Sequence, residues 1–150
     1  MGFRVISRSA ATSAYARQQS LGGPKMAVVG TPLEGLSILV VEDDYLVALA
    51  LSALLEIAGA IVVGPVAWAQ DALALLDDDE HYIDVAILDI DLNGEKSYAV
   101  ADELTLREIR FIFATGYGVD SIDIAYRHHP RCQKPFDHQT LFNTLALSGR

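Results

Sequence analysis

The sequence predicts a doubly wound α/β domain on a five-stranded parallel sheet, and three observations carry that prediction. From Leu36 onward short apolar runs alternate with stretches of helical periodicity. Two of the runs, Ile38-Leu39-Val40-Val41 and Val85-Ala86-Ile87-Leu88, stop abruptly in acidic residues, as strands do when their carboxyl ends open onto a binding crevice. At 150 residues with 51% hydrophobic content, the chain can close one sizeable core but not two comfortable ones.

The first run ends in Glu42-Asp43-Asp44. Glu42 and Asp43 follow the strand directly, so Asp44 is assigned to capping the helix that begins there. Leu46, Ala50, Leu51, Leu54, Leu55 and Ala58 recur at spacings of three and four, and Gly59 stops that helix. Ile61-Val62-Val63 reads as strand two, broken by Gly64-Pro65, and Ala69 to Leu76 as the second helix, running into the solvated cluster Asp77-Asp78-Asp79-Glu80. Strand three ends in Asp89-Ile90-Asp91, and a helix from about Ser97 to Leu106 follows. Strand four, Phe111-Ile112-Phe113-Ala114, stops at Thr115-Gly116. Val119 to Pro130 carries only a thin apolar stripe, which predicts a short or mobile fourth helix. Arg131-Cys132-Gln133 is a fifth strand ending at Lys134-Pro135, and Asp137 caps a last helix with Leu141, Leu145 and Leu147 on its apolar side. The expected count is five strands and five helices.

The net charge of −9 is unevenly spread: no acid precedes Glu34, whereas Arg4, Arg8, Arg17 and Lys25 all do. All 20 acidic residues therefore fall in the remainder, against seven basic ones. Such a surface is a poor match for nucleic acid, whose phosphates demand a basic face. Residues 1–33 are expected to form a disordered extension, rich in Ser, Ala, Gly and Arg, ahead of a folded domain at 36–148. The extension superficially resembles a transit peptide, Met26 is an alternative start, and Ile6 spoils a myristoylation pattern at Gly2. A single cysteine, Cys132, allows no intramolecular disulfide, and no run reaches the roughly 18 apolar residues of a membrane span. A cytoplasmic, membrane-free protein is the expectation.

Residues directly after each strand are those placed to do chemistry. They are Glu42 and Asp43, Asp89, Thr115 and Lys134. Three carboxylates on one edge repel one another, and a hard divalent cation relieves this. Magnesium fits, because it takes oxygen ligands from one or two carboxylates beside a phosphate. Asp89 is then placed as a nucleophile toward phosphorus, Lys134 as a point charge for phosphoryl oxygens, and Thr115 as a hydroxyl donor to the same oxygens.

Ile38-Leu39-Val40-Val41-Glu42-Asp43-Asp44, Leu88-Asp89-Ile90-Asp91, Ala114-Thr115-Gly116 and Lys134-Pro135 resemble the response-regulator receiver family of two-component signalling over residues 36 to 148. The resemblance implies a flavodoxin-like (βα)5 fold with strand order 2-1-3-4-5. It implies Asp89 as phosphoacceptor, and Glu42, Asp43, Asp89 and the backbone carbonyl of Asp91 around Mg2+. It also implies Thr115 as switch hydroxyl, Lys134 as phosphoryl contact and a cis Pro135. Phe111-Ile112-Phe113-Ala114-Thr115-Gly116-Tyr117 is similar to the Phe-x-Phe-Ala-Thr-Gly-Tyr motif of the FAT GUY receivers. Those are typically stand-alone or stress-signalling receivers of alphaproteobacteria, served by histidine kinases of the HWE and related classes. Arg110 stands where that motif usually opens with Pro, and Arg131 where the family's switch aromatic usually stands, so Tyr117 becomes the substitute switch residue.

The implied partners are a histidine kinase or phosphotransfer protein, a downstream protein and, as a further option, a second copy of the chain. The implied protein is no enzyme beyond limited self-phosphorylation and self-dephosphorylation. Two alternatives compete with this reading. Asp89-Ile90-Asp91 matches the nucleophile motif of haloacid-dehalogenase-like phosphatases, although their acidic pair comes last in the chain and here it comes first. A receiver-like scaffold that has lost the switch is the other. His81, His128, His129 and His138 lack metal-ligand spacing, with the His128-His129 pair read as a surface feature. Cys132 is read as a small buried apolar residue, and Trp68 as packing.

Overall fold

A computed structural model of the chain describes residues 31–148; of the extension expected over residues 1–33, residues 1–30, with Met26, lie outside them. The main sheet is built from β1 (Ser37–Val41), β2 (Ile61–Val66), β3 (Val85–Asp89), β6 (Arg110–Thr115) and β7 (Arg131–Gln133). All four of its pairings are parallel, in the order β2-β1-β3-β6-β7. Counting these five strands alone, the order is 2-1-3-4-5, as expected. Among the described residues four α-helices flank them: α1 (Tyr45–Ile57), α2 (Ala69–Asp77), α3 (Tyr98–Leu106) and α4 (His138–Ser148).

The interior strands read as unbroken apolar runs because both their faces are covered. Side chains alternate across the sheet: Leu39, Val41, Ala86, Leu88, Phe111 and Phe113 join α2 and α3 in one core layer. Ile38, Val40, Val85, Ile87, Ile112 and Ala114 join α1 and α4 in the other. Asp44 caps α1 by accepting from the Leu46 and Val47 N–H groups at 3.0 and 3.1 Å. Asp137 caps α4 through the Thr140 N–H at 2.9 Å. Leu141 and Leu145 are buried, and Cys132 is a free buried thiol; the Leu147 side chain lies outside the described residues.

Several local features depart from the expectations. Gly64-Pro65 does not end β2, which continues to Val66. Between Leu39 and Val41 the pairing with Val63 and Val66 admits one extra residue, a bulge on an edge strand where proline's missing N–H is tolerated. Gly64 is required there, since its φ is +92° and a Cβ would meet the Val40 carbonyl oxygen at 3.0 Å. A two-stranded antiparallel ribbon, β4 (Asp91–Leu92) and β5 (Glu95–Lys96), follows β3 unannounced. The fourth helix is replaced by two single 3-10 turns, Val119–Ser121 and Ile124–Tyr126. Ile122 is buried there but Ile124 is 79% exposed, so the segment has too few inward apolar residues to seat a helix.

Leu33 is 1% exposed among Leu55, Ala58 and Ala60, and its N–H donates to the Ala58 carbonyl at 2.9 Å. The packed chain thus begins before Leu36. Trp68, expected to pack, is about half exposed. His129, read as superficial, is half-buried with its ring centroid 4.5 Å from that of Phe111. No helix among the described residues is long and apolar enough to cross a membrane.

Candidate functional site

Strand register brings the predicted residues together. Val41 pairs with Leu88, so Glu42 and Asp89 are neighbours at the carboxyl edge. Asp89 pairs with Ala114, which puts Thr115 one step beyond, and Thr115 pairs with Gln133, which puts Lys134 beside it. A single parallel register therefore converts residues from four separate strand ends into one constellation.

Carboxylate oxygens of Glu42, Asp43 and Asp89 all lie within 4.8 Å of one another. Lys134 Nζ donates to Glu42 Oε1 at 2.5 Å and to Asp89 Oδ2 at 3.0 Å. Burial and the hydrogen bond and charge of Asp89 push the Glu42 carboxyl up to about 8, against the opposing pull of Lys134. Burial alone lowers Lys134, but its bonds to Glu42 and Asp89 outweigh that and hold the ammonium above its usual range. Glu42 Oε2 is buried with no hydrogen-bond partner. An orphaned carboxylate oxygen in a knot of three acids fits a hard divalent cation, whose charge would relieve both the repulsion and the missing contact.

The ribbon shapes the same edge. Asn93 and Gly94 adopt φ of +53° and +86°, the positive values of a two-residue hairpin turn. From that turn the Asn93 N–H donates to Asp43 Oδ2 at 2.9 Å. The Asp91 side chain pairs with Lys96 Nζ at 2.6 Å. Asn93 and Lys96 were not anticipated; the Asn-Gly dipeptide was the available signal.

Thr115 is buried, and its hydroxyl is engaged with the main chain of Tyr117. It accepts from the Tyr117 N–H at 3.0 Å and donates to the Tyr117 carbonyl at 3.2 Å. The Tyr117 ring is 65% exposed. Arg131 is exposed, its Nη1 donating to the Arg127 carbonyl at 3.2 Å. The Lys134-Pro135 peptide is cis.

The response regulator receiver domain model matches residues 38–146. The solution structure of SdrG from Sphingomonas melonis Fr1 is similar at 42% identity and TM-score 0.67, covering 75% of this chain and 95% of that one. The BeF3-activated conformation of SdrG from Pseudomonas melonis Fr1 is similar at 38% identity and TM-score 0.67, covering 82% and 100%. The response regulator PhyR from Brucella abortus matches at 25% identity and TM-score 0.64, with 75% of this chain aligned to 46% of that longer one. A comparison with curated proteins returns no match. The match spans all of the strand-end residues, leaves the haloacid-dehalogenase alternative without support, and carries a response-regulator role with it: the chain belongs to the response regulator receiver domain family.

Proposed function

We propose that this chain is a single-domain response regulator that accepts a phosphoryl group on Asp89 from a histidine kinase in a Mg2+-dependent reaction and signals by protein–protein contact. The observation that carries the reading is the Glu42-Asp43-Asp89 cluster bridged by Lys134. The likeness to SdrG, nearly all of whose chain is covered, supports a stand-alone form. Phe111 to Tyr117 supports assignment to the FAT GUY group, with an HWE or related kinase, or a phosphotransfer protein, as donor. A cytoplasmic setting and a downstream protein partner complete the proposal.

Glu42, Asp43, Asp89 and the Asp91 carbonyl would hold Mg2+, which when bound neutralises the acids and polarises the phosphoryl oxygens. An Asp89 oxygen forms the new O–P bond while the P–N bond of the donor phosphohistidine breaks, and the imidazole leaves with the electron pair. Lys134, freed from the carboxylate pair, turns to the phosphoryl oxygens. Thr115 exchanges the Tyr117 main chain for a phosphoryl oxygen, and this releases the Tyr117 turn to carry the signal. The expected outcome is that acetyl phosphate with Mg2+ labels the wild type, while Asp89→Asn and chelated wild type stay unlabelled. Labelling of Asp89→Asn at the wild-type level overturns the assignment.

A further inference from the structure

Three carboxylates cluster at this edge, a fourth, Asp91, follows two residues after Asp89 with its N–H donating to Asp89 Oδ1 at 3.4 Å, and Lys134 serves only two of them. Glu42 and Asp89 share its ammonium, and Asp43 accepts from the Asn93 N–H. Asp91 instead has its own cation, Lys96, at 2.6 Å. We infer that Lys96 is a positioning residue for phosphoryl transfer to Asp89, pairing with the Asp91 carboxylate so that an anionic phosphoryl donor can approach. This rests on the phosphoacceptor reading above.

The pairing is built into the backbone. Asp91 and Lys96 are directly opposed in the antiparallel register of β4 and β5, so their side chains share one face of the ribbon. The Asn93-Gly94 turn fixes that register, because a two-residue loop with two positive φ values admits no slip. The turn is itself tied to Asp43. The ion pair is thus held on a ribbon anchored to the site it serves.

Its value is not stability. The two side chains are 48% and 42% exposed, and pairs so open to water contribute little to folding. What such a pair changes is the local potential. A small dianion approaching Asp89 meets one uncompensated acid fewer, and rate effects of this kind fade as salt screens them. In the test reaction with acetyl phosphate, an Asp89 oxygen forms the O–P bond while the P–O bond to the acetyl group breaks. Acetate departs with the electron pair.

The experiment measures the second-order rate of Asp89 phosphorylation by acetyl phosphate at saturating Mg2+, in low and high salt. Lys96→Ala is expected to be roughly 3- to 10-fold slower at about 20 mM salt, and within about 2-fold of wild type at about 500 mM. Lys96→Arg, which keeps the charge, should retain most of the rate. In an Asp91→Asn background, removing Lys96 should change the rate by less than about 1.5-fold, because the charge it compensates is gone. An unchanged rate in Lys96→Ala, a deficit independent of salt, or an equal deficit in the Asp91→Asn background overturns the inference. Failure of the wild type to label, or labelling of Asp89→Asn, overturns instead the phosphoacceptor reading beneath it.

Discussion

The edge around Asp89 and the segment from Gly116 to Pro130 both start at the carboxyl end of a sheet strand, β3 for the one and β6 for the other, yet they are held by opposite kinds of force. At the edge, position comes from a buried parallel sheet, and electrostatics work against it: three acids crowd together and one lysine serves two of them. In the segment no α-helix or strand fixes the chain, only two single 3-10 turns. It is held by a few contacts: Tyr126 stacks on Tyr98 at 4.1 Å with rings 5° from parallel, and the Asp123 N–H donates to the Tyr98 hydroxyl at 2.9 Å. Arg127 Nε adds a bond to the Ile122 carbonyl at 2.8 Å. One region spends stability on a charged site, and the other is ordered by a small number of removable side chains. The proposed phosphorylation switch would need both, a fixed acceptor beside a segment with a low cost of rearrangement.

Tyr98→Ala is the strongest way to separate the two. It removes the ring stacked on Tyr126 and set edge-on to Phe113 at 6.2 Å, together with the acceptor for Asp123. A loss of about 3 kcal/mol is expected by urea denaturation. Faster amide exchange should appear across residues 119–127. Labelling of Asp89 well below the melting point should stay within about 2-fold of wild type. A proportional loss of labelling would mean that the acceptor site also depends on the aromatic stack.

Glu42→Gln tests the opposite side, and the expected sign is reversed. The folded carboxyl sits at about 8 against an ordinary 4.5, so between those values the folded state binds more protons than the unfolded one. The contribution is therefore fully present below pH 4.5 and is lost as pH rises toward 8. Without divalent cations the wild type should lose stability across that window, and Glu42→Gln should flatten the loss. At pH 8 the variant should be more stable by about 2 kcal/mol, while the proposed phosphorylation of Asp89 should slow, since the proposed Mg2+ site loses one carboxylate. Chelated samples unfolded in urea at pH 5.5 and 8 check the slope. The same slope in both proteins would place its origin elsewhere.

The same contrast explains what could be read in advance. β1, β3 and β6 were legible because strands buried on both faces leave continuous apolar runs, and the residues after them inherit the edge by register. Ile122 and Tyr126 are two anchors with the exposed Ile124 between them, too short a stripe to distinguish a helix from successive turns. The β4-β5 ribbon has strands of two residues, below the length at which alternation can be seen, so its Asn-Gly turn is the one signal the sequence offers for it. Leu33 stands singly between Pro32 and Glu34, without periodicity to mark it. The acids, Thr115 and Lys134 were therefore legible as a set, whereas Asn93 and Lys96 depended on a hairpin that was not.

The smallest change, Tyr126→Phe, asks how finely the segment is balanced. It keeps the stack on Tyr98 and removes only the hydroxyl that donates to Asp102 at 2.8 Å. That bond, followed by burial, holds the Tyr126 phenol above its ordinary range, because ionising the phenol would set an anion against the Asp102 carboxylate. The folded value exceeds the unfolded one, so the bond's contribution is present below about pH 10 and fades above it. Tyr126→Phe should cost about 0.5 kcal/mol at neutral pH and should abolish one late step in an ultraviolet titration of the tyrosines. If that step persists, another tyrosine carries it. If it vanishes and amide exchange at residues 119–127 is unchanged, the ring stack on Tyr98, with buried Ile122 and the Arg127 bond, holds the segment without the Tyr126 hydroxyl.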